Sequence, residues 1–98
     1  MLTKEYVQTE LRGVEASLVF WQGQFEEHKD EAAYRCYTRQ LATACYTYGY
    51  MARLAGMMKW DDLAPVWSER NSVLYSKLDE VDSAWLDKKY GPTPTTGS

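Results

Sequence analysis

Residues 7–25, VQTELRGVEASLVFWQGQF, decide the fold. The apolar members Val7, Leu11, Val14, Leu18, Trp21 and Phe25 recur at alternating steps of four and three. That rhythm averages about 3.5 residues, the spacing at which side chains hold one straight seam along an α-helix. The rhythm returns twice further along. Tyr34, Tyr37, Leu41, Ala44, Tyr48, Met51 and Ala55 form a second seam, and Ala64, Trp67, Asn71, Leu74, Leu78, Val81 and Trp85 a third. Three seams joined by short connections predict an all-α, antiparallel (up-down-up) three-helix bundle with helices of about 25 residues.

Local signals set the expected boundaries at residues 3–28, 31–57 and 62–89, all within one domain of residues 1–90. Thr3 and Asp30 are candidate N-caps, because a short side-chain oxygen can take a free N–H of the first turn. Either Asp61 or Asp62 suits the same role for the third helix, with Pro65 in its first turn. Gly56 is expected at or near the C-cap of the second helix. Gly91-Pro92 stops the third, and residues 91–98 read as a flexible polar tail. Antiparallel register then stacks the seams in layers, from Phe25–Tyr34–Trp85 at one end to Val7–Met51–Trp67 at the other. Asn71, the polar intruder, falls level with Tyr48, whose hydroxyl is its expected partner. A buried amide left unpaired would cost roughly 1–3 kcal/mol.

Composition excludes several function classes. The 98 residues carry a net charge of −3, the wrong sign for a phosphate-backbone binder, so nucleic acid is not an expected partner. No signal peptide and no apolar run of membrane-spanning length is visible, which predicts a cytoplasmic protein that makes no membrane contact. Cys36 and Cys45 stand nine residues apart on one helix, about 900° of rotation, and so on opposite faces. They can neither pair nor share a metal ion, and reduced packing thiols are expected. His28 is the only histidine, no Glu-x-x-His pair exists, and there is no glycine-rich phosphate loop. A Cys36–His28 pair across the first turn has no accompanying oxyanion hole. The expectation is a non-enzymatic protein without cofactor, metal or catalytic residues.

Trp21-Gln22-Gly23 resembles the Trp-x-Gly signature of the small secreted WXG-type helical hairpins, and Tyr75-Ser76-Lys77-Leu78-Asp79 is similar to their export signal. In that family the tripeptide forms the turn between two helices near mid-chain. Here Trp21 belongs to the first seam and a third helix follows, so membership and an export role are not carried over.

The residues that the seams leave over carry the functional reading. On the second helix Arg35, Arg39, Tyr46, Tyr50, Arg53 and Met57 fall within an arc of about 60°, nearly opposite the seam. Arginine, tyrosine and methionine are enriched where proteins meet, whereas lysine and glutamate occupy idle surface. A second pattern consists of small residues: Ala42, Cys45, Gly49, Ala52 and Gly56 on one flank of that helix, and Gly13, Ala16, Phe20 and Gly23 on the first helix. A helical glycine costs about 0.8–1 kcal/mol relative to alanine, so a regular series implies close approach by another element. Self-association as a homo-oligomer, with a dimer favoured, and tighter internal packing explain the series equally well. The expected function is that of a small interaction protein (an inhibitor, adaptor or assembly factor) docking the Tyr/Arg face onto a protein partner. Phage accessory proteins are one setting that fits this size and architecture. The alternative is an oligomeric binder of a small anionic or nucleotide-like ligand.

Overall fold

The structure, a computed structural model, describes residues 2–91 and consists of three helices: α1 (Lys4–His28), α2 (Glu31–Met57) and α3 (Ala64–Tyr90). The expected tail lies, from Pro92 onward, outside the described residues. Thr3 caps α1, its side chain accepting the Tyr6 N–H at 3.1 Å, and Asp30 caps α2 by accepting the Ala33 N–H at 2.8 Å. Lys29, in the left-handed conformation at φ 54°, turns the chain between them and donates its N–H to the Phe25 carbonyl. Gly23 lies within α1, and no turn forms at Trp21-Gln22-Gly23.

Gly56 lies in the last turn of α2, two residues before the C-cap Met58, and the left-handed residue that follows the cap is Lys59, at φ 61°. One boundary expectation is corrected. Neither Asp61 nor Asp62 caps α3. Its N-cap is Leu63, without a side-chain hydrogen bond, and the Trp60 carbonyl accepts both the Leu63 and the Ala64 N–H. The cause is tertiary: Trp60 meets Trp67 edge to face at 6.4 Å, which fixes the connector as a tight turn. Asp62 points away and pairs with Lys4 of α1 at 3.3 Å.

The bundle is antiparallel, and α2 lies between its neighbours. Both α1 and α3 pack on α2, while among the described residues the backbones of α1 and α3 do not approach each other. The result is a slab with extents of 51 × 35 × 15 Å. Every residue of the three seams is buried or half-buried. Leu41 (1 % exposed), Val7, Ala44 and Ala55 are the most enclosed, joined by Leu11, Leu18, Tyr37, Cys45, Tyr48, Trp67 and Leu74. At one end Trp85 stacks on Tyr34 with ring centres 4.6 Å apart, and Phe25 packs against both. That layer is the one the register predicts.

Polar groups tie the outer helices together where backbone contact is missing. Arg70 of α3 donates through Nε and Nη2 to the two carboxylate oxygens of Glu15 on α1, at 2.9 and 2.7 Å. The Tyr48 hydroxyl of α2 donates to the same carboxylate at 3.1 Å. The expected Asn71–Tyr48 pairing is thereby corrected. Tyr48 is engaged by Glu15, and Asn71 donates its Nδ2 hydrogen to the Cys45 carbonyl. Asn71 sits on the flank of α2 beside Gly49, not on the seam side where Tyr48 points.

Two tyrosines bonded to carboxylates give the fold an alkaline limit. Burial and then Glu15 push the Tyr48 phenol up to about 12, and burial and then its 2.5 Å bond to Asp82 push Tyr34 up to about 12. A folded-state pKa above the unfolded value of about 10 means that the protonated phenol stabilises the native state. That contribution is complete below about pH 10 and is lost as the pH climbs through about 12. Urea-induced unfolding followed against pH is therefore expected to show stability falling across this interval, and less steeply in a Tyr34→Phe/Tyr48→Phe variant. Equal slopes for both proteins would reject the assignment.

Candidate docking surface

The Tyr/Arg strip of α2 faces outward along its whole length. Arg35, Arg39 and Arg53 are exposed, as are Tyr46 (74 %), Tyr50 (55 %) and Met57 (79 %). Helical periodicity places them there: the seam turns Tyr37, Leu41, Ala44 and Tyr48 inward, and the strip lies more than a third of a turn away. Arg35 makes a loose i,i+4 pair with Glu31 at 3.4 Å, whereas Arg39 and Arg53 are in no ion pair among the described residues.

The small-residue flank of α2 adjoins this strip and borders α3. Together they form a groove of about 780 Å³, whose α2 side is Ala42, Cys45, Tyr46, Gly49, Ala52 and Arg53. From α3 come Ala64, Pro65, Ser68, Asn71, Tyr75 and Leu78. Towards the other end the groove continues past Ala42 and Leu78 to Tyr34, Arg35, Thr38, Arg39 and Asp82. The floor lies low because its residues are small, and the rims are high because Tyr46, Arg53 and Tyr75 stand on them.

The structure divides the small residues into two kinds. Cys45 is buried, and Gly49 is held close to α3: a Cβ on Gly49 would lie 3.0 Å from Asn71 Nδ2 and 3.6 Å from its Cγ. Internal packing accounts for these two, since Asn71 could not reach the Cys45 carbonyl past a larger residue. Burial also raises the Cys45 thiol pKa, which leaves it protonated and unreactive near neutral pH. Ala42 stays exposed on the groove. On α1, Gly13, Ala16, Phe20 and Gly23 are exposed, and a Cβ at either glycine would meet nothing within 4 Å. No contact among the described residues explains the α1 glycines.

Sequence reasoning kept the arginine strip and the small-residue flank apart. In space they adjoin, with Arg35, Arg39, Tyr46 and Arg53 lining the groove and Tyr50 and Met57 standing outside it. The α3 wall was not part of the expected surface, although Tyr75 and Ser68 recur seven residues apart on one side of the third helix. Among the described residues no helix is long and apolar enough to cross a membrane, and no three His, Cys, Asp or Glu side chains converge as a metal site. No family model matches the chain, and neither a curated protein nor a solved structure does.

Proposed function

We propose that the chain is a small non-enzymatic interaction protein that acts by docking the Tyr/Arg face of α2 onto a protein partner, as an inhibitor, adaptor or assembly factor. One observation carries this reading. Tyr46, Tyr50, Met57 and three arginines lie exposed in one row that includes no acidic residue, although the chain is net acidic. Large aromatic and guanidinium side chains are the usual anchors of an interface, each contributing on the order of 2 kcal/mol or more when truncated. Replacing Tyr46 and Arg53 together by alanine removes two anchors and no core contact. Melting and helix content are expected to stay unchanged while capture of the native-host partner weakens by at least about 2 kcal/mol, or roughly 30-fold. Undiminished capture by the folded double variant rejects this face.

A second reading has the groove itself in its favour, because about 780 Å³ lies within the range of small-ligand sites. In it, an oligomer holds an anionic or nucleotide-like molecule between tyrosines and arginines. A nucleotide panel that leaves the melting temperature unmoved excludes it, since ligand at about 100 times its dissociation constant adds about 2.7 kcal/mol. Self-association belongs to the proposal through the open α1 face of Gly13, Ala16, Phe20 and Gly23, and sedimentation of a Phe20→Glu variant against the parent decides it.

A further inference from the structure

The groove restricts what kind of partner can dock, and the inference below rests on the reading of α2 as the docking surface. From Arg35 to Arg53 the α2 wall spans nineteen residues, about 27 Å of helix, so an occupant of similar length follows it for about five turns. Small residues that keep exposed surface, Ala42, Gly49, Ala52, Ala64 and Ser68, line much of the groove, which lets a helix axis come as close as the ~8–10 Å of ordinary helix packing. Charge selects among helices. The charged groups lining the two stretches are Arg35, Arg39, Arg53 and Asp82, three cations against one anion. Arg35 is paired with Glu31, Asp82 accepts the Tyr34 hydroxyl and keeps its charge, and Arg39 and Arg53 are in no ion pair among the described residues. The lining is therefore cationic on a chain of net charge −3. A second copy fits poorly: a two-fold contact centred on Tyr46 sets Arg39 of one copy opposite Arg53 of the other, placing like charges face to face.

We propose that the α2/α3 groove receives an acidic amphipathic helix of a protein partner, laid lengthwise, with a small or apolar seam on Ala42 and Ala52, either side of the Gly49–Asn71 contact, and carboxylates toward Arg39 and Arg53. Tyr46 and Tyr75 flank it on either side. This is the helix-in-groove mode, in which apolar anchors supply affinity and the charged rims select orientation and partner.

The test uses two defined peptides of about 20 residues, long enough to follow the groove. One carries alanine and leucine on one face and glutamate on both flanks; its twin has lysine in place of every glutamate. Fluorescence anisotropy is expected to give at least about tenfold tighter binding of the acidic peptide, weakening as salt rises from about 50 to about 200 mM. Amide shifts in the isotope-labelled protein are expected at Ala42, Gly49, Ser68 and Asn71. An Arg39→Glu/Arg53→Glu variant should prefer the basic twin, and Ala42→Leu, which fills an exposed part of the groove without touching Asn71, should weaken both. Equal binding of the twins, shifts on α1 instead, or groove shifts that follow protein concentration alone would each overturn the acidic helix, the last by showing a second copy there. The two proposals fail separately. Native capture lost in Tyr46→Ala/Arg53→Ala but kept in Ala42→Leu overturns the helix in the groove and leaves the docking face standing. Acidic-peptide binding with native capture unaffected by the Tyr46/Arg53 variant does the reverse.

Discussion

Leu41→Ala is expected to lower the unfolding free energy by about 2–5 kcal/mol, a large share of the 5–15 kcal/mol typical of a domain. Leu41 is only 1 % exposed and belongs to the cluster that joins Leu11 and Leu18 of α1 to Leu74 of α3. The loss has two parts: the transfer energy of the missing methyl groups, and the cavity left where the neighbours cannot follow. Here collapse is opposed on both sides, because α2 is held between two helices that do not touch each other's backbone. Urea denaturation should show a lower midpoint with an unchanged slope, the sign of altered stability without altered compactness. Val66→Ala, at a residue 58 % exposed, serves as the control and is expected to stay within about 0.5 kcal/mol. A cost below about 1 kcal/mol for Leu41→Ala would mean that the interior is not closed at its centre.

The second large effect concerns the clamp between the outer helices. Arg70→Met is expected to cost about 1.5–3 kcal/mol, below the 3–5 kcal/mol seen when fully buried pairs are broken. The discount follows from exposure: the Arg70 and Glu15 side chains keep about a third of their surface in water (38 % and 34 %). What remains is still large, because the guanidinium fork meets both oxygens of Glu15 and the carboxylate also receives the Tyr48 hydroxyl. Arg70→Lys should rescue little, since a single ammonium cannot reproduce two parallel bonds. By contrast Lys4→Ala removes an ion pair whose side chains are 42 % and 66 % exposed, and is expected to change stability by less than about 1 kcal/mol. Chemical denaturation of the three variants decides the ranking, and equal losses for Arg70→Met and Lys4→Ala would refute it.

The two predictions also mark what could be read from the chain itself. The Leu41 layer was legible, because a 3.5-residue rhythm specifies which side of each helix is apolar whatever the details of packing. Thr3 and Asp30 were legible as caps for a similar reason, since capping is settled within four residues. The start of α3 was not: Asp61 and Asp62 are equally good caps, and the choice fell to Trp60 against Trp67, a contact no local pattern encodes. Asn71 was placed at the right height and given the wrong partner. A layer assignment fixes the level of a side chain along the bundle and leaves open which flank of the neighbour it meets. Glu15 escaped notice because it follows Val14 at the seam's edge, where charges usually belong to solvent, and only the approach of Arg70 makes it structural. The same gap kept the arginine strip and the small residues apart. They lie a few tens of degrees from each other on α2, and α3 alone turns that interval into a groove.

The central position of α2 has a consequence for how the chain is made. Among the described residues its backbone contacts join only successive helices, so the protein is two overlapping hairpins that share one member, with side chains such as Arg70 and Glu15 closing the outer pair. Such local topology favours fast folding, in the microsecond-to-millisecond range of other helical domains. During synthesis the α1/α2 hairpin emerges from the ribosome ahead of α3. Until Asn71 arrives, the Cys45–Gly49 flank of the newborn hairpin is bare, so that flank is the last part of α2 to leave water.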